Sequence, residues 1–154
     1  MYLDYLIRFF LFKYIFIFFI FFKNSYAEDL HMEFHTEKKI EEIIQKIELH
    51  SGTYNLEVVG KIDFSKISKV KNNKNFLIEI NSINWIKSIH DIDNSALIIF
   101  PIRINILDIG NKRVIKLKNH ANYLKLSNFK NKELLDYINK IDMKLQYFLK
   151  NLLR

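Results

Sequence analysis

The chain has 154 residues, with 24 Lys and Arg against 17 Asp and Glu, a net charge of +7 and no cysteine. That length builds one domain with a real core and excludes two, and the missing cysteines exclude a disulfide framework. The basic excess is Lys, with Arg only at Arg8, Arg103, Arg113 and Arg154; Lys, Ile and Asn rise together in an A/T-rich genome, whereas base and phosphate readout favours Arg, so no nucleic-acid partner is expected.

The amino terminus reads as an address. A short head carrying Arg8 is followed by an apolar stretch over residues 11–22 broken only by Lys13, and then by Ser25-Tyr26-Ala27, small residues three and one before a cut. Charged, apolar, then small-x-small is the order of a secretory signal peptide, and the unbroken apolar part is too short for a bilayer core, which needs about 20 residues. The expectation is cleavage before Glu28 and a periplasmic destination, with the membrane met only in transit; the alternative is an uncleaved anchor over residues 6–22, with Arg8 and Lys13 snorkelling. The absence of any Asn-x-Ser/Thr acceptor also suits a bacterial periplasm.

Residues 28–35 are short and polar and predict a flexible leader, so a single domain is expected over 36–154. Thr36 opens a first helix whose Ile40, Ile43, Ile44 and Ile47 share a face, closed by Ser51-Gly52 with the glycine in a left-handed cap. The period then changes to two. Tyr54, Leu56, Val58 and Ile62 alternate with polar residues as on a half-buried strand, and after a loop at 71–75 a second strand is predicted over 76–83, with Phe76, Ile78 and Ile80 on one face. The longest apolar run, 96–109, is rich in β-branched residues and predicts one strand, bulged or at an edge because Pro101 cannot donate to a ladder. Gly110-Asn111 predicts a tight hairpin returning through 114–118. Over 131–154, Leu134, Ile138, Ile141, Leu145, Phe148 and Leu152 recur at intervals of four and three, the stripe of a long amphipathic helix. The predicted fold class is α+β: an N-terminal helix, a mostly antiparallel sheet of four to five strands and a long C-terminal amphipathic helix.

Candidate chemistry is sparse. His31 and His35 bracket Glu33, but on a flexible leader they are better solvated than ligating, and His50 complements the dipole at the end of the first helix. Asp91-Ile92-Asp93-Asn94 opens like a calcium loop, yet Ala96 stands where the turn glycine belongs and Ile102 where the bidentate acid belongs; the two aspartates read as turn formers. The three glycines are scattered, no nucleophile elbow is present, and nothing selects a pair of carboxylates for acid–base work. Neither an enzyme nor a cofactor or metal is expected. The partner-binding candidates are Trp85, the single tryptophan, and the apolar run at Phe100, Pro101, Ile102 and Ile104.

The order of features is similar to one family. A signal peptide, a helix, a strand ending Ile62-Asp63-Phe64-Ser65-Lys66-Ile67, then Asn94-Ser95-Ala96-Leu97-Ile98-Ile99-Phe100-Pro101 and Phe129-Lys130-Asn131-Lys132-Glu133-Leu134-Leu135 resemble the first domain of the flagellar basal-body P-ring assembly chaperones. Lys132 replaces the glycine and Asn139 the aspartate of the family's linker signature, and the resemblance is expected to cover the family's first domain only. The resemblance implies a non-enzymatic periplasmic chaperone whose protein partner is a flagellar P-ring subunit held through apolar strand surface. The alternatives are a ligand-binding module in which the long helix closes an apolar cavity against the sheet, and a membrane-tethered interaction protein.

Overall fold

The computed structural model of the protein describes residues 30–68 and 74–154. The expected signal peptide and the alternative anchor fall outside the described residues, and among those described no helix is long and apolar enough to cross a membrane. The fold is α+β, with a five-stranded antiparallel sheet in the order β1-β5-β4-β3-β2. Its strands are β1 His31–Thr36, β2 Glu57–Asp63, β3 Asn75–Asn81, β4 Ile102–Ile109 and β5 Lys112–Lys118. The helices are α1 Ile40–Ser51, α2 Phe64–Ser68, α3 Ile83–Asp93, α4 His120–Leu126 and α5 Lys132–Leu153, with 3-10 turns at Gly52–Tyr54 and Asn94–Ile99.

Register explains the core. Ile78 pairs with Ile104 and Ile104 with Leu117, while Phe76, Ile106, Ile115 and Phe34 make the next row, so each row sends its side chains to the same face. The stripes of α1, α3 and α5 join those rows in one buried cluster that includes Ile43, Ile47, Ile89, Ile138, Leu145 and Phe148. The opposite face carries Glu79 paired with Arg103 (3.0 Å) and Glu33 paired with Lys116.

The hairpin and the long helix form as the sequence predicts. Gly110 takes φ +63° between β4 and β5, a conformation that costs any side-chain-bearing residue, and Asn131 caps α5 by accepting from the Leu134 N–H (3.2 Å). Other expectations are corrected. Residues 31–35 do not belong to a flexible leader: they form most of β1, because Met32 and Phe34 alternate inward against the core while His31, Glu33 and His35 point out. Gly52 is right-handed at φ −58°, because a 3-10 turn prolongs α1, and the left-handed residue is Asn55 at φ +57°.

The alternation expected through Ile62 fails at a bulge between Val58 and Gly60. Val59 is left out of register, and Ile62 is carried to the outer face opposite Leu77. Residues 83–93 are the helix α3, since Trp85, Ile89 and Ile92 meet the core at helical spacing. The run 96–109 is no single strand: a 3-10 turn ends at Ile99, Pro101 follows, and β4 begins at Ile102.

Candidate functional site

The sequence candidates scatter when folded. Ile102 and Ile104 are 0% exposed within the central strand β4, so they belong to the core and have no surface to offer a partner. Phe100 and Pro101 are half-buried at the entry to that strand. His31 and His35 are exposed on β1, where Lys116 takes the Glu33 carboxylate; that hydrogen bond leads the contacts that hold the carboxyl below its ordinary range. Among the described residues no group of three or more His, Asp or Glu is placed to hold a metal. Asp93 does form a turn, accepting from the Ser95 N–H at 3.1 Å, but between α3 and a 3-10 turn instead of between strands. Trp85 lies at a concave surface.

That surface is a groove of about 360 Å³ along the outer side of α5. Trp85 from α3 and Ile141 from α5, 7% and 2% exposed, form its floor. Tyr54, from the 3-10 turn after α1, and Tyr137 and Tyr147 from α5 form aromatic walls. Lys140, Met143 and Lys144 complete it at the solvent edge, where Met143 and Tyr147 remain well exposed. The helix itself makes this possible: positions 137, 140, 144 and 147 follow one another at three- and four-residue steps beside the buried stripe, so their side chains stack along one flank.

Tyr54 is positioned on both sides. Its ring meets Phe148 edge-on at 4.9 Å, and its hydroxyl accepts from Asn151 Nδ2 at 3.2 Å. Behind it lies a smaller hollow of about 140 Å³ bordered by Lys46, His50 and Asn151. The enclosed cavity between long helix and sheet is not formed at the stripe, where Ile138, Leu145 and Phe148 are 0% exposed.

The charges at the groove differ from those on α1. On α1, Glu42 sits 3.4 Å from both Lys38 and Lys46; desolvation works against its carboxylate, yet the two ammonium groups hold the carboxyl below its ordinary value. Lys61 pairs with Glu48 and Lys74 with Glu41. Lys140 and Lys144 have no such neighbour among the described residues.

A second polar cluster lies at the α4–α5 contact. Asp142, on α5 and 4% exposed, accepts from His120 Nδ1 at 2.7 Å and from the Ala121 N–H at 2.9 Å. With Asn119 accepting from the Asn122 N–H at 3.0 Å, Asp142 satisfies the start of α4 and ties it to α5. Both groups are enclosed, and the pair is structural in position.

No family model and no curated protein matches the sequence. Among solved structures the fold is similar to that of the uncharacterized conserved protein DUF302 from Bacillus stearothermophilus, with a TM-score of 0.73 and 12% identity over 81% of this chain and 98% of that one. At that identity the likeness is one of fold. It overturns the resemblance to the P-ring assembly chaperones: residues 62–67 run from β2 into the short helix α2, 94–101 are a 3-10 turn leading to β4, and 129–135 enter a 22-residue helix where the family has a linker.

Proposed function

We propose that the protein is a non-enzymatic binding protein that receives its ligand in the groove beside α5. The observation that carries this reading is the concentration of Trp85, Tyr54, Tyr137 and Tyr147 around one open hollow of small-molecule size. Aromatic residues with one apolar and one polar end are the usual anchors of recognition, since they offer large contact area at low entropic cost. A rigid base supports them, because Ile141 and Trp85 are part of the packed interior. Fragment screening by ligand-observed NMR tests the reading: aromatic fragments should bind, and Tyr147→Ala with Tyr137→Ala should abolish their binding without lowering the melting temperature by more than a few degrees. Aromatic fragments that bind both forms equally would refute it.

We propose further that the protein acts outside the cytoplasm, on the strength of the apolar stretch and Ser25-Tyr26-Ala27. A cut before Glu28 would leave β1 whole, since that strand begins at His31. Amino-terminal sequencing of the native protein should start at Glu28; a start at Met1 refutes export by cleavage.

A further inference from the structure

The charge at the groove's edge narrows what it holds. Lys140 and Lys144 stand one turn apart on the same flank of α5, and like charges at that spacing repel and weaken a helix by a few tenths of a kcal/mol. On α1 the lysines beside Glu42, Lys38 and Lys46, are matched by its carboxylate. Here nothing matches them: Asp136, one turn before Lys140, reaches neither ammonium within ion-pair distance among the described residues. The hydroxyls of Tyr137 and Tyr147 likewise have no protein partner there, in contrast to the engaged hydroxyl of Tyr54. Two unneutralised cations and two unengaged phenols therefore border a surface made of rings.

We propose that the ligand is a small planar aromatic anion, a ring system bearing a carboxylate, sulfonate or phosphate group. The ring lies over Trp85 between the tyrosines, and the anionic group meets Lys140 and Lys144. This rests on the groove being a binding site and adds the chemistry of its occupant. Complementarity supports both halves: an inorganic anion would leave the aromatic walls uncovered, and a neutral arene would leave the two cations unmatched. At about 360 Å³ the hollow is at the lower end of small-molecule sites, the size of one fused ring pair with its substituent.

The test uses probes that differ only in charge. Naphthalene-2-sulfonate, its neutral sulfonamide and inorganic sulfate are titrated into the intact protein, read by calorimetry and by the indole N–H resonance of Trp85, the single tryptophan. The sulfonate should shift that resonance saturably and bind at least tenfold more tightly than the sulfonamide, with the margin shrinking in 0.5 M salt. Lys140→Gln combined with Lys144→Gln should erase the margin and leave sulfonamide affinity unchanged, whereas Tyr147→Ala should weaken both probes alike. Equal affinity for sulfonate and sulfonamide, or a margin that survives in the double lysine variant, overturns the anionic ligand and leaves the groove reading standing. A Trp85 shift with sulfate as large as with the sulfonate removes the ring from the proposal. Failure of both naphthalene probes to bind overturns the groove reading itself.

Discussion

Replacing Asp142 by alanine removes the acceptor for two buried donors, the Ala121 N–H at 2.9 Å and His120 Nδ1 at 2.7 Å. At 4% exposure the site admits little water to replace it. Leaving a buried donor without a partner costs about 1–3 kcal/mol, so Asp142→Ala should destabilise the protein by about 3 kcal/mol. With a urea dependence of about 1.5 kcal/mol per molar, the unfolding midpoint should fall by about 2 M. Asp136→Ala is the control: it lies on the same helix with an exposed side chain and should change stability by less than about 0.5 kcal/mol. In a double-mutant cycle with His120→Ala the two changes should be non-additive by about 1 kcal/mol or more, because they share one bond. Urea titrations followed by circular dichroism give all four values. An Asp142→Ala midpoint within 0.5 M of the Asp136→Ala midpoint would refute the claim that this carboxylate ties α4 to α5.

Gly110→Ala should cost about 1 kcal/mol for holding a side-chain-bearing residue at positive φ, since no neighbouring atom crowds the site, and Gly110→Asn should cost less; thermal melts rank the two. Phe148→Ala should destabilise by about 3–5 kcal/mol and release the Tyr54 ring that rests on it, visible as a changed Tyr54 environment by NMR in the folded fraction. The Asp63 carboxyl lies below its ordinary range because the Ser65 hydroxyl, and then the Ser65 backbone N–H, donate to it, so Ser65→Ala should raise its pKa in a carbon-13 titration. The sign follows from linkage: a depressed acid stabilises the fold above its unfolded pKa, and that contribution disappears as the pH falls through the folded value. Ser65→Ala should therefore flatten the acid limb of the stability profile below about pH 4, and an unchanged limb would refute it.

The sequence was most legible where one physical requirement dominated. The stripe from Leu134 to Leu152 has a single period, and every member of it is buried on α5. Gly110 before Asn111 is legible because few residues tolerate that backbone. The helix at 83–93 drew no prediction, because Ile83, Ile86 and Ile89 blur the helical set Trp85, Ile89 and Ile92 that the tertiary contacts follow. β1 was hidden because two inward residues, Met32 and Phe34, make too short an alternation to separate from a polar leader. The groove was partly written in the sequence: Tyr137, Lys140, Lys144 and Tyr147 are visible at helical spacing, but only the fold brings Trp85 and Tyr54 to them. The Asp142 pair had one local sign, a carboxylate directly beside Ile141 within an apolar stripe. Its partner is 22 positions away, beyond the reach of any local pattern.

Strand order has a consequence for how the polypeptide reaches its final form. β2, β3, β4 and β5 are a simple meander, each laid beside the next, whereas β1 must wait for a partner that pairs His31 with Lys118. That closure spans almost the entire sequence between them and comes with a correspondingly high entropic toll. A molecule threaded through a pore amino end first would deliver β1 long before anything exists for it to pair with. Assembly thus has a built-in sequence, meander before edge. Both edges, β1 and β2, are bonded on one side only, and their ladders should exchange amide hydrogens before the central ones.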